Sequence, residues 1–137
     1  MEYKTKSITI KVRPDDIVEV TNNEEWENID TIETATENAK VLKKAVNGKK
    51  RGILSHMPDT YVGKEVLECY IKAEIGEVAT ALMTRSFASK VVGNIYLKLT
   101  GKKKNAEQES DKPPVKIFTK RELAEAWLLE QIALYSK

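Results

Sequence analysis

Apolar and polar residues alternate from Ser7 to Val12. Ile8, Ile10 and Val12 fall on one side and Thr9 and Lys11 on the other, the two-residue period of a half-buried strand. Arg13-Pro14-Asp15-Asp16 follows; proline fixes φ and aspartate suits tight geometry, so a turn is expected there. Ile17, Val18 and Val20 make a second short strand, and the short connection implies an antiparallel hairpin. Thr21 to Asn28 is polar apart from Trp26, which is expected to lid the edge of the core.

The period then changes. Ile32, Ala35, Ala39, Leu42 and Val46 recur at three- and four-residue spacing, the signature of one apolar helix face. Asp30 followed by Glu33 resembles a capping box at its start, and Asn47-Gly48 ends it. Lys43, Lys44, Lys49, Lys50 and Arg51 complement the negative end of the helix dipole as a solvated basic end. Gly52-Ile53-Leu54 reads as a short buried strand. Ser55-His56-Met57-Pro58-Asp59-Thr60 leads from it to a helix running from about Val62 to Glu74, with Val66, Tyr70 and Ala73 inward and Gly76 as its stop. Glu77 to Met83 is nearly all apolar, as expected of a strand covered on both faces.

Thr84-Arg85-Ser86 opens a helix from Phe87 to about Leu99. Its stripe of Phe87, Val91, Ile95 and Leu99, widened by Ala88, Val92 and Tyr96, is broader than one sheet contact requires; core burial and a homodimer contact both account for the excess. Gly101 to Pro114, a mixed-charge and proline-ended segment, reads as a flexible loop. Val115 to Phe118 is the fifth strand. Thr119 with Glu122 caps a last helix that is expected to turn Leu123, Ala126, Trp127 and Leu134 inward. The order is therefore β-β-α-β-α-β-α-β-α in one α/β domain over residues 1–137. An N-terminal hairpin continues through right-handed crossovers into a mixed, mostly parallel sheet covered by helices.

Composition narrows the function classes. Hydrophobic residues make up 41% and charged residues 32%, so the chain of 137 residues is a globular rather than a disordered one. The 23 basic and 21 acidic residues leave a net charge of +2, too small to draw nucleic acid or an acidic membrane. Lys102-Lys103-Lys104 is followed by acids and does not alter that expectation. One cysteine excludes an internal disulfide, and one histidine beside it excludes the common Cys/His zinc sites. MEYKTKSITI lacks the apolar core and cleavage signal of a secretory peptide, and no apolar run approaches the roughly 20 residues that span a bilayer. A cytoplasmic protein without a cofactor, and not an integral membrane protein, is the expectation.

Ligands of open α/β sheets sit outside the carboxyl ends of the strands. Two segments leave such ends, His56 to Thr60 and Thr84 to Ser86, and both open helices. Free backbone N–H groups would gather there with the cation of Arg85, a setting for a small anion or phosphate. The competing reading makes Asp59 or Thr60, and Thr84 or Ser86, plain N-caps. Ser55, His56 and Asp59 supply the residue types of a hydrolase triad. As continuing strand residues, however, Ser55 and His56 point to opposite faces, and no G-x-S-x-G turn exposes the serine. Cys69 borders an apolar helix face and reads as a structural thiol. The six glycines form no phosphate-binding loop.

The TKSITIKVRPDDIVEV hairpin, the RGILSHMPDTYVGKE and EVATALMTRSFASKVVGNIYL units and the closing KIFTKRELAEAWL unit together resemble the STAS-type domain of bacterial anti-sigma factor antagonists. They resemble more closely the short bacterial STAS/SEC14-like proteins. The likeness covers nearly the whole chain as order and pattern. In the antagonists a serine in an Asp-Ser-Ser-Gly-like segment is phosphorylated at a helix start. By position the resemblance implies Thr60, after Asp59, as the phosphoacceptor, although Tyr61-Val62 replaces the second serine and glycine and Gly63 comes two positions late.

Three readings follow. The first is a non-enzymatic regulatory domain that binds a protein partner, such as a signalling kinase or regulator, through His56, Asp59, Thr60, Thr84, Arg85 and Ser86. The second is a carrier of a small or lipid-like ligand held under the Phe87–Leu99 helix. The third is an enzyme of unrecognised type.

Overall fold

A computed structural model describes residues 2–23, 31–57, 62–86, 89–95 and 113–135. Six strands form one sheet in the order β1-β2-β3-β4-β5-β6, the order in which they occur along the chain. The strands are β1 (Glu2–Lys4), β2 (Ile8–Val12), β3 (Ile17–Asn22), β4 (Gly52–His56), β5 (Thr80–Met83) and β6 (Val115–Phe118). β1, β2 and β3 pair antiparallel, and β3 through β6 pair parallel. The helices are α1 (Ile32–Val46) and α2 (Lys64–Lys72), a helical segment α3 over residues 89–95, and α4 (Arg121–Tyr135). The hairpin, the mixed sheet and the strand–helix alternation are those expected from the sequence.

The hairpin follows from its turn. Arg13 N–H donates to Ile17 O at 2.9 Å and Asp16 N–H to Arg13 O at 3.1 Å. Asp16 takes φ 70°, the left-handed residue that closes a three-residue hairpin loop, and aspartate tolerates it better than most side chains. β1 is an addition to the expected order. Its three residues are too few to show a period, but Thr5 folds the chain back: its N–H reaches Ile8 O at 2.9 Å and its Oγ1 accepts from Ile8 N–H at 3.1 Å. Tyr3 then lies opposite Ile10.

The face that α1 covers is the face of Ile8, Ile10, Val18, Val20 and Ile53, which pack against Leu42, Ala45 and Val46. α2 and α3 join that side through Val66, Leu67 and Val92, with Ala35 of α1 between them. The opposite face, with Ile17, Leu54, Ala81 and Met83, is covered by Ala124, Leu128 and Ile132 of α4. The arrangement is forced by handedness. Each parallel step from β3 to β6 moves in the same direction across the sheet, so right-handed crossovers deliver α1, α2 and α3 to one face. Only α4, which follows the last strand, is free to take the other.

Helix ends and phases depart from expectation in four places. The N-cap of α2 is Gly63, with no side-chain cap bond, rather than Asp59 or Thr60. The N-cap of α1 is Thr31 rather than Asp30, which lies outside the described residues. Thr31 Oγ1 accepts from Thr34 N–H at 3.2 Å and Thr34 Oγ1 from Thr31 N–H at 2.8 Å, a threonine capping box. α4 turns Ala124, Leu128 and Ile132 inward, whereas Leu123 and Leu134 are each 58% exposed. The reason is close approach: Gly52 sits beneath α4 and leaves room for Leu128, whose Cδ2 would lie 2.9 Å from an added Cβ, and for Ile132. In α3, Ser89 and Val92 are buried, and Val91 and Ile95 remain exposed. Asp59, Thr60, Trp26, Phe87, Leu99 and residues 101–112, expected to form a flexible loop, lie outside the described residues.

Asn38 is fully buried on the apolar stripe of α1. Thr5 Oγ1 donates to its Oδ1, and its Nδ2 donates to Ser7 Oγ at 2.9 Å and to Tyr70 OH at 2.7 Å. One amide thus ties the β1–β2 turn to α1 and α2.

Candidate functional site

The parallel strands end level with one another. Met57 N–H donates to Met83 O at 2.9 Å and Thr84 N–H to Phe118 O at 3.0 Å, so His56, Met83 and Phe118 share one edge. Beyond that edge Thr84, Arg85, Ser86, Lys90 and Thr119 surround an open depression of about 580 Å3. Ser86 is the cap of α3: its Oγ accepts from Ser89 N–H at 3.0 Å, and Ser89 Oγ accepts from Ser86 N–H at 2.9 Å. Ser89 Oγ also accepts from Arg85 N–H at 2.9 Å, which fixes the backbone that carries the arginine. Thr84 is buried, while Arg85, Ser86, Lys90 and Thr119 are exposed. Of the expected site residues, Thr84, Arg85 and Ser86 therefore come together, joined by Lys90 and Thr119. The helix-cap reading holds for Ser86. Ser89→Ala should cost about 1 kcal/mol, read as a lower urea midpoint, because it removes the acceptor of the Arg85 and Ser86 N–H groups.

His56 leaves by the other face. Its Nε2 lies 2.8 Å from Glu19 Oε2, whereas Ser55 pairs in register with Val20, whose side chain belongs to the α1-side core. The two members of the tempting triad are thus separated by the sheet itself.

Glu19 is the centre of a cluster that sequence reasoning did not find. Arg121 of α4 grips it with both Nη atoms at 2.8 Å, and Arg13 Nη1 approaches at 3.5 Å. Glu125 bonds Arg13 at 2.8 Å and Arg121 at 3.0 Å. Burial disfavours the charge on Glu19, but the bonds from Arg121 and His56 more than offset it and hold the carboxyl down at about 2. A carboxylate so occupied clamps α4 to β3. Its members come from positions 13, 19, 56, 121 and 125, and the only local signal is an acid in the apolar run Ile17–Val20.

On the α1 face a cavity of about 100 Å3 lies between the sheet and the helices, walled by Val20, Leu42, Ile53, Leu67 and Leu82. Ser55, Tyr70 and Glu77 also reach it. Burial pushes the Glu77 carboxyl up, against the weaker opposing pull of its own backbone N–H and the Thr80 hydroxyl. Cys69 is half-buried, 3.6 Å from Thr36 Oγ1. Among the described residues no three His, Cys, Asp or Glu side chains are arranged to hold a metal, and no helix is long and apolar enough to cross a membrane.

No protein-family model, curated protein or solved structure matches this chain.

Proposed function

We propose that the chain is a non-enzymatic interaction domain that binds a protein partner along the carboxyl edge of its sheet. The observation that carries this reading is the depression in which Arg85 and Lys90 stand beside Ser86 and Thr119 on a capped, fixed backbone. Two cations with hydroxyl donors suit an acidic segment of the partner. Thr60, in the segment after β4, belongs to the reading through the likeness to anti-sigma factor antagonists, in which phosphorylation switches the partner. Val91 and Ile95 extend the surface with apolar area and would serve a homodimer; gel filtration showing single copies at high concentration removes that part.

The test is affinity capture with the protein as bait, followed by Arg85→Glu with Lys90→Glu. A partner lost with this pair, and kept with Lys43→Glu and Lys44→Glu at the far end of α1, supports the edge. A partner unaffected by both pairs overturns it. Thr60→Glu should release the same partner and Thr60→Ala should retain it; if neither changes capture, the switch is wrong even where the edge is right.

A second reading, a carrier of a small ligand, is favoured by the cavity between the sheet and the helices.

A further inference from the structure

Glu77 precedes β5 and reaches a cavity with aliphatic walls at Val20, Ile53, Leu67 and Leu82 and polar side chains at Asn22, Ser55, His56, Tyr70 and Thr80. Thr80 Oγ1 donates to it at a long 3.4 Å. Among the described residues no lysine, arginine or histidine pairs with it; the acids of the Glu19 cluster, by contrast, are matched by Arg13 and Arg121. A carboxylate taken from water into apolar surroundings is costly unless a cation or strong donor meets it. Protein atoms supply Glu77 with its own backbone N–H and the long bond from Thr80 but, among the described residues, with no cation, so the space beside it is where one fits.

Size limits the visitor. A cavity of about 150 Å3 lined by aliphatic side chains admits benzene, so the roughly 100 Å3 here accepts a body of about five or six heavy atoms. Its aliphatic walls suit a branched or compact hydrocarbon body, and the volume is too small for a sugar or a nucleotide. Ser55 and Tyr70 also line the cavity, so a second polar contact is available.

We infer that this cavity binds a small primary amine, its hydrocarbon body among Val20, Ile53, Leu67 and Leu82 and its ammonium on Glu77. The inference rests on the carrier reading and names the ligand class for it. The geometry sorts candidates by charge: an ammonium completes the ion pair, an alcohol gives one neutral bond, and an anion of the same shape is repelled.

Three probes of one shape make the test: isopentylamine, isopentanol and isovalerate, added at millimolar concentration to the full chain at neutral pH. Methyl NMR of Ile53, Leu67 and Leu82 locates binding, and calorimetry ranks affinity. The expected result is shifts of these methyls, with the amine about tenfold tighter than the alcohol and the acid unbound. Glu77→Gln should erase the amine's advantage while the alcohol still shifts the methyls, and Ser55→Leu, which fills the space, should abolish both. Equal binding of amine and alcohol to the unaltered protein overturns the amine assignment and leaves the carrier reading standing. No methyl shift with any probe overturns both.

Discussion

Asn38→Ala is expected to lower folding stability by about 3–4 kcal/mol, measured as the urea midpoint at neutral pH. The residue is fully buried and holds three partners, Thr5, Ser7 and Tyr70. Each lost buried bond costs about 1 kcal/mol, and the Thr5 hydroxyl keeps its bonds to Ile8. Asn38→Leu restores the volume but makes none of the three bonds, so it should recover little. Near-neutral Asn38→Ala stability would mean that the amide does not hold the β1–β2 turn to the helices.

Glu19→Gln is expected to lose about 2 kcal/mol at neutral pH, with a cost that disappears in acid. The folded carboxyl titrates at about 2 and an ordinary glutamate at 4.5. A depressed carboxylate stabilises fully above its ordinary value and loses that contribution as pH falls through its folded value. The gap between the native chain and Glu19→Gln should therefore be constant above about pH 5.5 and close steadily between about pH 4.5 and 2. A displacement of this size corresponds to about 3 kcal/mol without screening, and the half-exposed Arg121 reduces it. Unfolding midpoints of both proteins from pH 7 to pH 3 check it; parallel curves would show that the clamp contributes nothing. Arg121→Ala should reproduce most of the loss, because Arg121 supplies two of the bonds to Glu19.

The parts of the fold that were legible before the structure are those where a period decides the face. Ile8, Ile10 and Val12 alternate, and Ala35, Ala39, Leu42 and Val46 recur, so β2 and α1 could be phased from residue type alone. α4 could not. Apolar residues surround it, from Leu123 and Ala124 through Trp127, Leu128 and Leu129 to Ile132 and Leu134, and the inward choice rests on clearance over Gly52 rather than on pattern. β1 was too short to show alternation at all. At the site, the Thr84–Ser86 segment was visible as a helix opening, whereas α2 starts from Gly63 rather than from Asp59 or Thr60; the opposite directions of Ser55 and His56 followed from strand parity. The Glu19 cluster joins residues more than a hundred positions apart, and no local signal reports such a closure. Asn38 and Glu77 were missed for a shared reason: each is a polar side chain set on an otherwise apolar surface, where pattern reading tends to discount it.

Because neighbours in the sheet are neighbours in the chain, the sheet can be laid down one strand at a time as synthesis proceeds. Each new strand arrives with the helix that roofs it on the α1 side. The other surface gains nothing until α4 emerges, and Ile17, Leu54, Ala81 and Met83 stay bare through most of translation. A ribosome-bound chain ending near Thr119 would hold a nearly finished sheet with one greasy side open, the form a holding chaperone would recognise. The last helix works as a seal on a structure otherwise already built.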